Sequence, residues 1–254
     1  MSISTKAKRL TISTGLYGPA RWLTRRIRPE MLRTYQGYVE FYKSLIPTDA
    51  LCFDVGANVG EISEALLQAG GRVIAFEPTP MVAPELKARC GHRKNWSIVE
   101  AAVGSEGTIT TLYARESHAQ SGLLSDWGDK VIRTFHVPVV TLDAAIRCFG
   151  RPAFCKIDVE GWELEVLNGL SQAIPLVSFE FHNSEQDNRK TVSCLQRLSG
   201  LGANLVNITA AETSAFHFKE WMTWEQFLEW FPDGLNRSFP SDYGVIFIKS
   251  QVEA

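Results

Sequence analysis

The sequence predicts an α/β fold in which a mainly parallel β-sheet carries helices on both faces. Three observations carry that prediction. Strand-like and helix-like patterns alternate from residue 51 almost to the end of the chain. The apolar run Leu51–Val55 ends in the turn Gly56-Ala57-Asn58-Val59-Gly60, which opens a helical pattern. A second run, Arg72–Phe76, ends on Glu77, 23 residues after Asp54. A glycine turn between strand and helix, with an acid closing the next strand, is how parallel sheets bind nucleotides.

At 254 residues the chain can bury a sizeable core, and 45% apolar with 21% charged residues is ordinary globular composition. The net charge of -2 points away from nucleic acid as a partner. Five cysteines without Cys-x-x-Cys spacing read as buried free thiols in a reducing, cytoplasmic setting. No signal-peptide pattern and no stretch of about 18 apolar residues is present.

Residues 1–47 are expected to form a helical extension ahead of a main domain at 48–254. Up to Arg33 there are eight Lys/Arg against Glu30 alone. Leu16, Ala20, Leu23, Ile27 and Met31 share one helical face, with Arg21, Arg25, Arg26 and Arg28 largely on the others. This helix is expected either to pack on the main domain or to touch an anionic membrane peripherally. Tyr35, Tyr38, Phe41 and Tyr42 continue a helical pattern to Pro47, as a lead-in covering the sheet or the ligand.

The strands expected next are Leu51–Val55, Arg72–Phe76, Ser97–Ala101, Phe154–Ile157, Val177–Phe181, Leu205–Ile208 and Val245–Ile248. Between them, helices are expected with Ile62, Ala65, Leu66 and Ala69 on one face, over Gly161–Asn168, and over 191–201. Residues 104–140 interrupt the rhythm with short strands at Thr108–Tyr113 and His136–Val140. An aromatic-rich insertion at 209–240 interrupts it again. Within it Thr223 and Gln226 form a capping box for a helix whose face is Trp224, Phe227, Leu228 and Phe231. Trp230 lies off that stripe and is the better candidate for contact with a bound molecule.

Glu77 is placed to accept hydrogen bonds from a ribose, with Pro78 fixing its direction. A dinucleotide loop needs a glycine where this chain has Asn58, so the loop suits S-adenosylmethionine, which has no pyrophosphate. In that reading Asp54 takes the ammonium, while loop N–H groups and the Asn58 amide receive the carboxylate.

Asp54-Val-Gly-Ala-Asn-Val-Gly60, Ala75-Phe-Glu-Pro78, Ala101-Ala-Val-Gly104, Thr141-Leu-Asp143, Lys156-Ile-Asp-Val-Glu-Gly161 and Glu180-Phe-His182 occur in this order. Together they resemble the FkbM-type family of S-adenosylmethionine-dependent methyltransferases over about residues 50–183. The resemblance implies the class I methyltransferase fold, Rossmann-like and three-layered, with a seven-stranded, mostly parallel sheet whose last strand is reversed. It implies S-adenosyl-L-methionine as cofactor and O-methylation of a sugar, glycolipid or secondary-metabolite hydroxyl. Gly56, Ala57, Asn58, Gly60, Glu77 and Pro78 would hold the cofactor with Asp54 and Asp158. Ala102 and Val103 would lie along the adenine, and Ser121 near the cofactor.

Strand periodicity puts Lys156 and Asp158 on one side, and a lysine inside a strand needs a carboxylate, Asp158 or Glu180. Methyl transfer mainly needs alignment and removal of the hydroxyl proton. His182 is the first choice of base, with Asp158 or Glu160 as alternatives; Glu180 and Lys156 complete the catalytic set. Asp158, Glu180 and His182 could instead share a divalent cation, but their spacing is no metal signature, so no metal is expected. Partners are a small-molecule or glycan acceptor and, optionally, a second copy as a homodimer. The readings left standing beside methyl transfer are a nicotinamide oxidoreductase and a non-catalytic cofactor-binding module.

Overall fold

A computed structural model describes residues 29–117, 120–126, 128–210 and 213–250. The basic stretch at 16–28, and the membrane contact expected of it, lie outside the described residues. Among the described residues no helix is long and apolar enough to cross a membrane.

The chain order is α1 (Pro29–Leu45), β1 (Leu51–Val55), α2 (Glu61–Gln68), β2 (Arg72–Phe76), α3 (Ala83–Cys90), β3 (Trp96–Val99) and β4 (Ala102–Val103). Then follow β5 (Thr108–Arg115), β6 (Val131–Val140), α4 (Leu142–Phe149), β7 (Phe154–Ile157), α5 (Glu163–Asn168) and β8 (Leu176–His182). The remainder is α6 (Glu185–Ser199), β9 (Ala203–Ala210), β10 (Met222–Thr223), α7 (Trp224–Trp230), α8 (Asp233–Ser238) and β11 (Tyr243–Ser250).

The main sheet has the order β10-β9-β11-β8-β7-β1-β2-β3. Strands β8, β7, β1, β2 and β3 pair in parallel, while β11 is antiparallel to both β8 and β9. The reversed last strand is therefore present. The expected count of seven strands is corrected to eight, because β10 adds antiparallel to the free edge of β9. Two residues have no readable period, so this strand left no pattern in the sequence. A smaller sheet, β4-β6-β5, holds the region expected as short strands at 104–140.

Alternation along β1 and β7 explains the two-faced core. Phe53, Val55, Cys155 and Ile157 join α4, α5 and α6 through Leu142, Ile146, Val166, Leu167, Leu195 and Leu198. Cys52 and Phe154 point the other way, onto Tyr42 of α1, Ile46 just after it, and Leu66 of α2. The aromatic lead-in thus covers the sheet: the Tyr42 ring lies 5.7 Å from Phe154, and Phe41 lies 5.5 Å from Phe247. The capping box forms as expected: the Thr223 N–H donates to Gln226 Oε1 at 2.9 Å, and the Gln226 N–H to Thr223 Oγ1 at 3.3 Å. Phe227 of that helix and Phe231, the residue that caps its carboxyl end, are buried.

The join between β11 and β9 tolerates no side chain at Gly244, where a β-carbon would lie 2.3 Å from the Thr209 carbonyl oxygen. Gly244→Ala is expected to cost about 2 kcal/mol and lower the melting temperature by several degrees. Thermal denaturation by circular dichroism checks this; an unchanged melting point would refute it.

Candidate active site

The carboxyl ends of β1, β2 and β7 open into a cavity of about 210 Å³. Its donor side is built by the turn after β1. Gly56 has a φ of 79°, and a β-carbon there would lie 1.7 Å from the Asp158 carbonyl oxygen, so the turns after β1 and β7 touch through glycine alone. The Gly56 and Ala57 N–H groups both donate to the Phe76 carbonyl oxygen, at 3.0 and 3.1 Å. Asn58, with a φ of 47°, donates its N–H to Glu77 Oε2 at 2.7 Å, and Thr79 donates to Glu77 Oε1 at 2.8 Å. Glu77 is 5% exposed and lines the cavity with Pro78. Burial pushes its pKa up, and the two N–H donors oppose that shift.

The opposite side is acidic. Asp158, Glu160 and Glu180 all line the cavity, with one carboxylate oxygen of each within 4.8 Å of the others. Glu160 has a φ of 57° and Gly161 of 91°, a left-handed turn rare for glutamate. These three oxygen donors could share a cation. The set differs from the mixed set of Asp158, Glu180 and His182 considered from sequence, since Glu160 takes the histidine's place. Burial raises the pKa of Glu180, and the His182 hydrogen bond works against that.

His182 does not line this cavity. It stands behind Glu180, Nε2 lying 3.3 Å from Glu180 Oε2, and borders a smaller hollow with Glu163 and Cys194. The bond to Glu180 raises its pKa despite partial burial. Lys156 also lies off the cavity, beneath the floor. Its Nζ is 2.9 Å from Asp158 Oδ2 and 3.9 Å from Asp54 Oδ1. Burial would lower the lysine pKa, but Asp158 and Asp54 together hold it above its usual value.

The sequence-expected residues therefore divide. Gly56, Asn58, Glu77, Pro78, Ala102, Val103, Ser121, Asp158, Glu160 and Glu180 meet at the cavity. Asp54, Ala57, Gly60, Lys156 and His182 do not line it. Asp54 is fully buried, accepting from Ser63 Oγ at 2.6 Å, with its pKa raised by burial against the pull of Lys156. Gly60 packs on α3, where a β-carbon would lie 2.5 Å from Leu86 Cδ1. Leu112, Leu123 and Trp162 line the cavity unforeseen. Trp162 directly follows the glutamate-glycine pair, so its position was readable. Leu112 and Leu123 come from the small sheet and its loop, where no local signal exists.

S-adenosylmethionine, the cofactor the resemblance implies, fits this donor set. Ala102, Val103 and Leu123 give an apolar wall, Glu77 a hydroxyl acceptor, and the three carboxylates a field suited to a cation. Two buried polar atoms of lining residues, Asn58 Oδ1 and Trp162 Nε1, have no hydrogen-bond partner among the described residues. One is an acceptor and the other a donor, as an amino-acid and purine ligand requires.

The chain matches the methyltransferase FkbM domain family over residues 54–233. It is 27% identical over 160 residues to hexuronic acid methyltransferase AglP of Haloferax volcanii, with 58% of this chain and 61% of that protein covered. The aligned part thus spans less than two thirds of that relative's length. Among solved structures it resembles the Aeropyrum pernix fibrillarin complex with natively bound S-adenosyl-L-methionine at 12% identity (TM-score 0.46), with 84% of this chain and 76% of that one covered. It also resembles precorrin-6y C5,15-methyltransferase from Geobacter metallireducens at 12% identity (TM-score 0.44), with 84% and 86% covered.

Two predictions follow from the geometry. Glu77→Ala removes the hydroxyl acceptor and frees the Asn58 and Thr79 N–H groups; S-adenosylhomocysteine affinity is expected to fall by roughly 2 kcal/mol, measured by calorimetry. Glu163, buried with Oε1 held by the Val159 and Gly161 N–H groups at 3.1 and 3.2 Å, has its pKa pushed by burial to about 7. A raised carboxyl pKa stabilises the fold below the unfolded value, and that stability is lost as pH rises through about 7. Glu163→Gln should therefore match the native protein near pH 5 and exceed it by roughly 2–3 kcal/mol near pH 8. Denaturant melts at both values test it, and a pH-independent difference would refute it.

Proposed function

This chain belongs to the FkbM methyltransferase family, and from that premise we propose that it O-methylates a hydroxyl of a sugar, glycolipid or secondary metabolite. It is a methyltransferase using S-adenosylmethionine, which when bound supplies an activated methyl group on a sulfonium. The observation that carries the O-directed reading is one cavity with Glu77 on one side and Asp158, Glu160 and Glu180 on the other. A hydroxyl needs a base when it attacks, and carboxylates at the acceptor side can take its proton. The distant relative named a hexuronic acid methyltransferase makes a sugar acceptor the leading choice.

In this reading Glu77 holds the ribose and Gly56 keeps the floor thin. Lys156 keeps Asp158 oriented through its ion pair. Glu180 receives the acceptor's proton, because it lines the cavity with a pKa raised by burial, while His182 behind it tunes that basicity. Four of the five cysteines are buried free thiols, in keeping with a reducing cytoplasmic setting. The family match leaves the nicotinamide alternative without support.

The decisive experiment offers methyl-labelled S-adenosylmethionine with neutral, amino and uronic-acid glycans, and locates the product's methyl group by NMR. Methyl on oxygen supports the proposal. Methyl on nitrogen or carbon removes it, and cofactor binding without transfer would favour the non-catalytic module. Activity should rise with pH as Glu180 loses its proton. His182→Ala removes the bond that lowers the Glu180 pKa, so the rise should move to higher pH with cofactor affinity unchanged. Glu180→Gln should reduce turnover by roughly 10²-fold or more.

A further inference from the structure

Arg115 closes β5 and is only 2% exposed, yet among the described residues it forms no salt bridge. A buried cation normally sits against an anion. This one is held by backbone oxygens of a single following segment. Its Nη1 donates to the Asp129 carbonyl at 2.5 Å, and Nη2 to the Leu124 and Ser125 carbonyls at 2.8 and 3.2 Å. Its own N–H donates to Ser121 Oγ at 3.0 Å, so both ends of the residue grip the same segment.

The segment is folded tightly around the guanidinium. Gln120 Oε1 accepts from the Asp129 N–H at 2.8 Å, tying the segment's ends together. Gly128, with a φ of 73°, lets the chain pass so close that a β-carbon would lie 3.4 Å from Arg115 Cδ. The consequence is felt at the cavity. Ser121, Gly122 and Leu123, inside the gripped segment, are cavity-lining residues. Gly122 pairs with Tyr113 and approaches the acidic turn, where a β-carbon on it would lie 3.3 Å from Glu160 Cβ.

We infer that Arg115 is a positioning residue for the cofactor: it folds residues 120–126 and 128–129 into the roof that closes the cavity over the methyl donor. The inference rests on the cavity being the S-adenosylmethionine site. A guanidinium suits the task because its planar fork reaches several carbonyls at once, which an ammonium cannot. With no carboxylate to hold the charge, its burial depends on the roof being folded. Folding of the roof and retention of the donor are thereby linked.

The test uses full-length protein, with Arg115→Met and Arg115→Lys, titrated with S-adenosylhomocysteine by calorimetry and followed by hydrogen exchange. In the native protein the ligand should protect amides in 120–129. Arg115→Met should lose that protection and bind at least tenfold more weakly. Arg115→Lys, which keeps the charge without the fork, should fall between. Native affinity and native exchange in Arg115→Met would overturn the inference. So would a lower melting temperature with both readouts unchanged, which is the mark of a purely structural arginine. If Arg115→Met fails to fold, the same two readouts on Arg115→Lys decide. Failure of the native protein to bind S-adenosylhomocysteine would remove the cofactor reading itself and this inference with it, an outcome distinct from native binding that is indifferent to Arg115.

Discussion

The site depends on one buried cation. Lys156 stands in the middle of the sheet, paired across the β1–β7 ladder with Asp54, and its ammonium is shared between Asp54 and Asp158. The net value of such a buried arrangement is modest, because desolvation offsets most of the attraction. Its removal is another matter, for Asp54 would be left as a carboxylate with no cation in a fully buried place. The arrangement therefore acts as a register pin. It sets the ends of β1 and β7 against each other, and everything in the cavity hangs from those two ends.

Contact between the two turns follows from that pin. Gly56 lies against the Asp158 carbonyl, and the left-handed residues Glu160 and Gly161 come next. The β1 turn spends its N–H groups internally: Gly56 and Ala57 cap the end of β2, and Asn58 holds Glu77. Little backbone donor capacity remains for a phosphate. This gives a structural basis for what Asn58 suggested, that the loop does not serve a pyrophosphate. Glu77 is consequently a rigid acceptor, aimed by two backbone bonds before any ligand arrives.

Legibility from sequence tracked how local each signal was. The strands, the glycine turn, Glu77 at the end of β2 and the capping box at Thr223 all depend on neighbours a few residues away, and all were readable. Its place near the carboxyl end of β1 makes Asp54 the sequence's candidate for the ammonium. Strand alternation instead turns its side chain under the floor, toward Ser63 and Lys156. His182 is the first choice of base from the sequence, but Glu180, two residues earlier, is the one that lines the cavity. The roof residues Leu112 and Leu123 were invisible, since the small sheet that delivers them pairs β5 with β6 across a long excursion.

The sequence by itself determined the fold class, the family and the chemistry of the donor, because these rest on periodicity and on short motifs whose spacing survives without coordinates. Only the tertiary structure decided which carboxylates share a cavity, that Lys156 pairs with Asp54 and Asp158 away from it, and that Arg115 bonds the carbonyls of the segment that follows β5. The physical reason is that a side chain's role depends on which way it points and what it is buried against. Both are set by packing between strands and loops far apart in the chain.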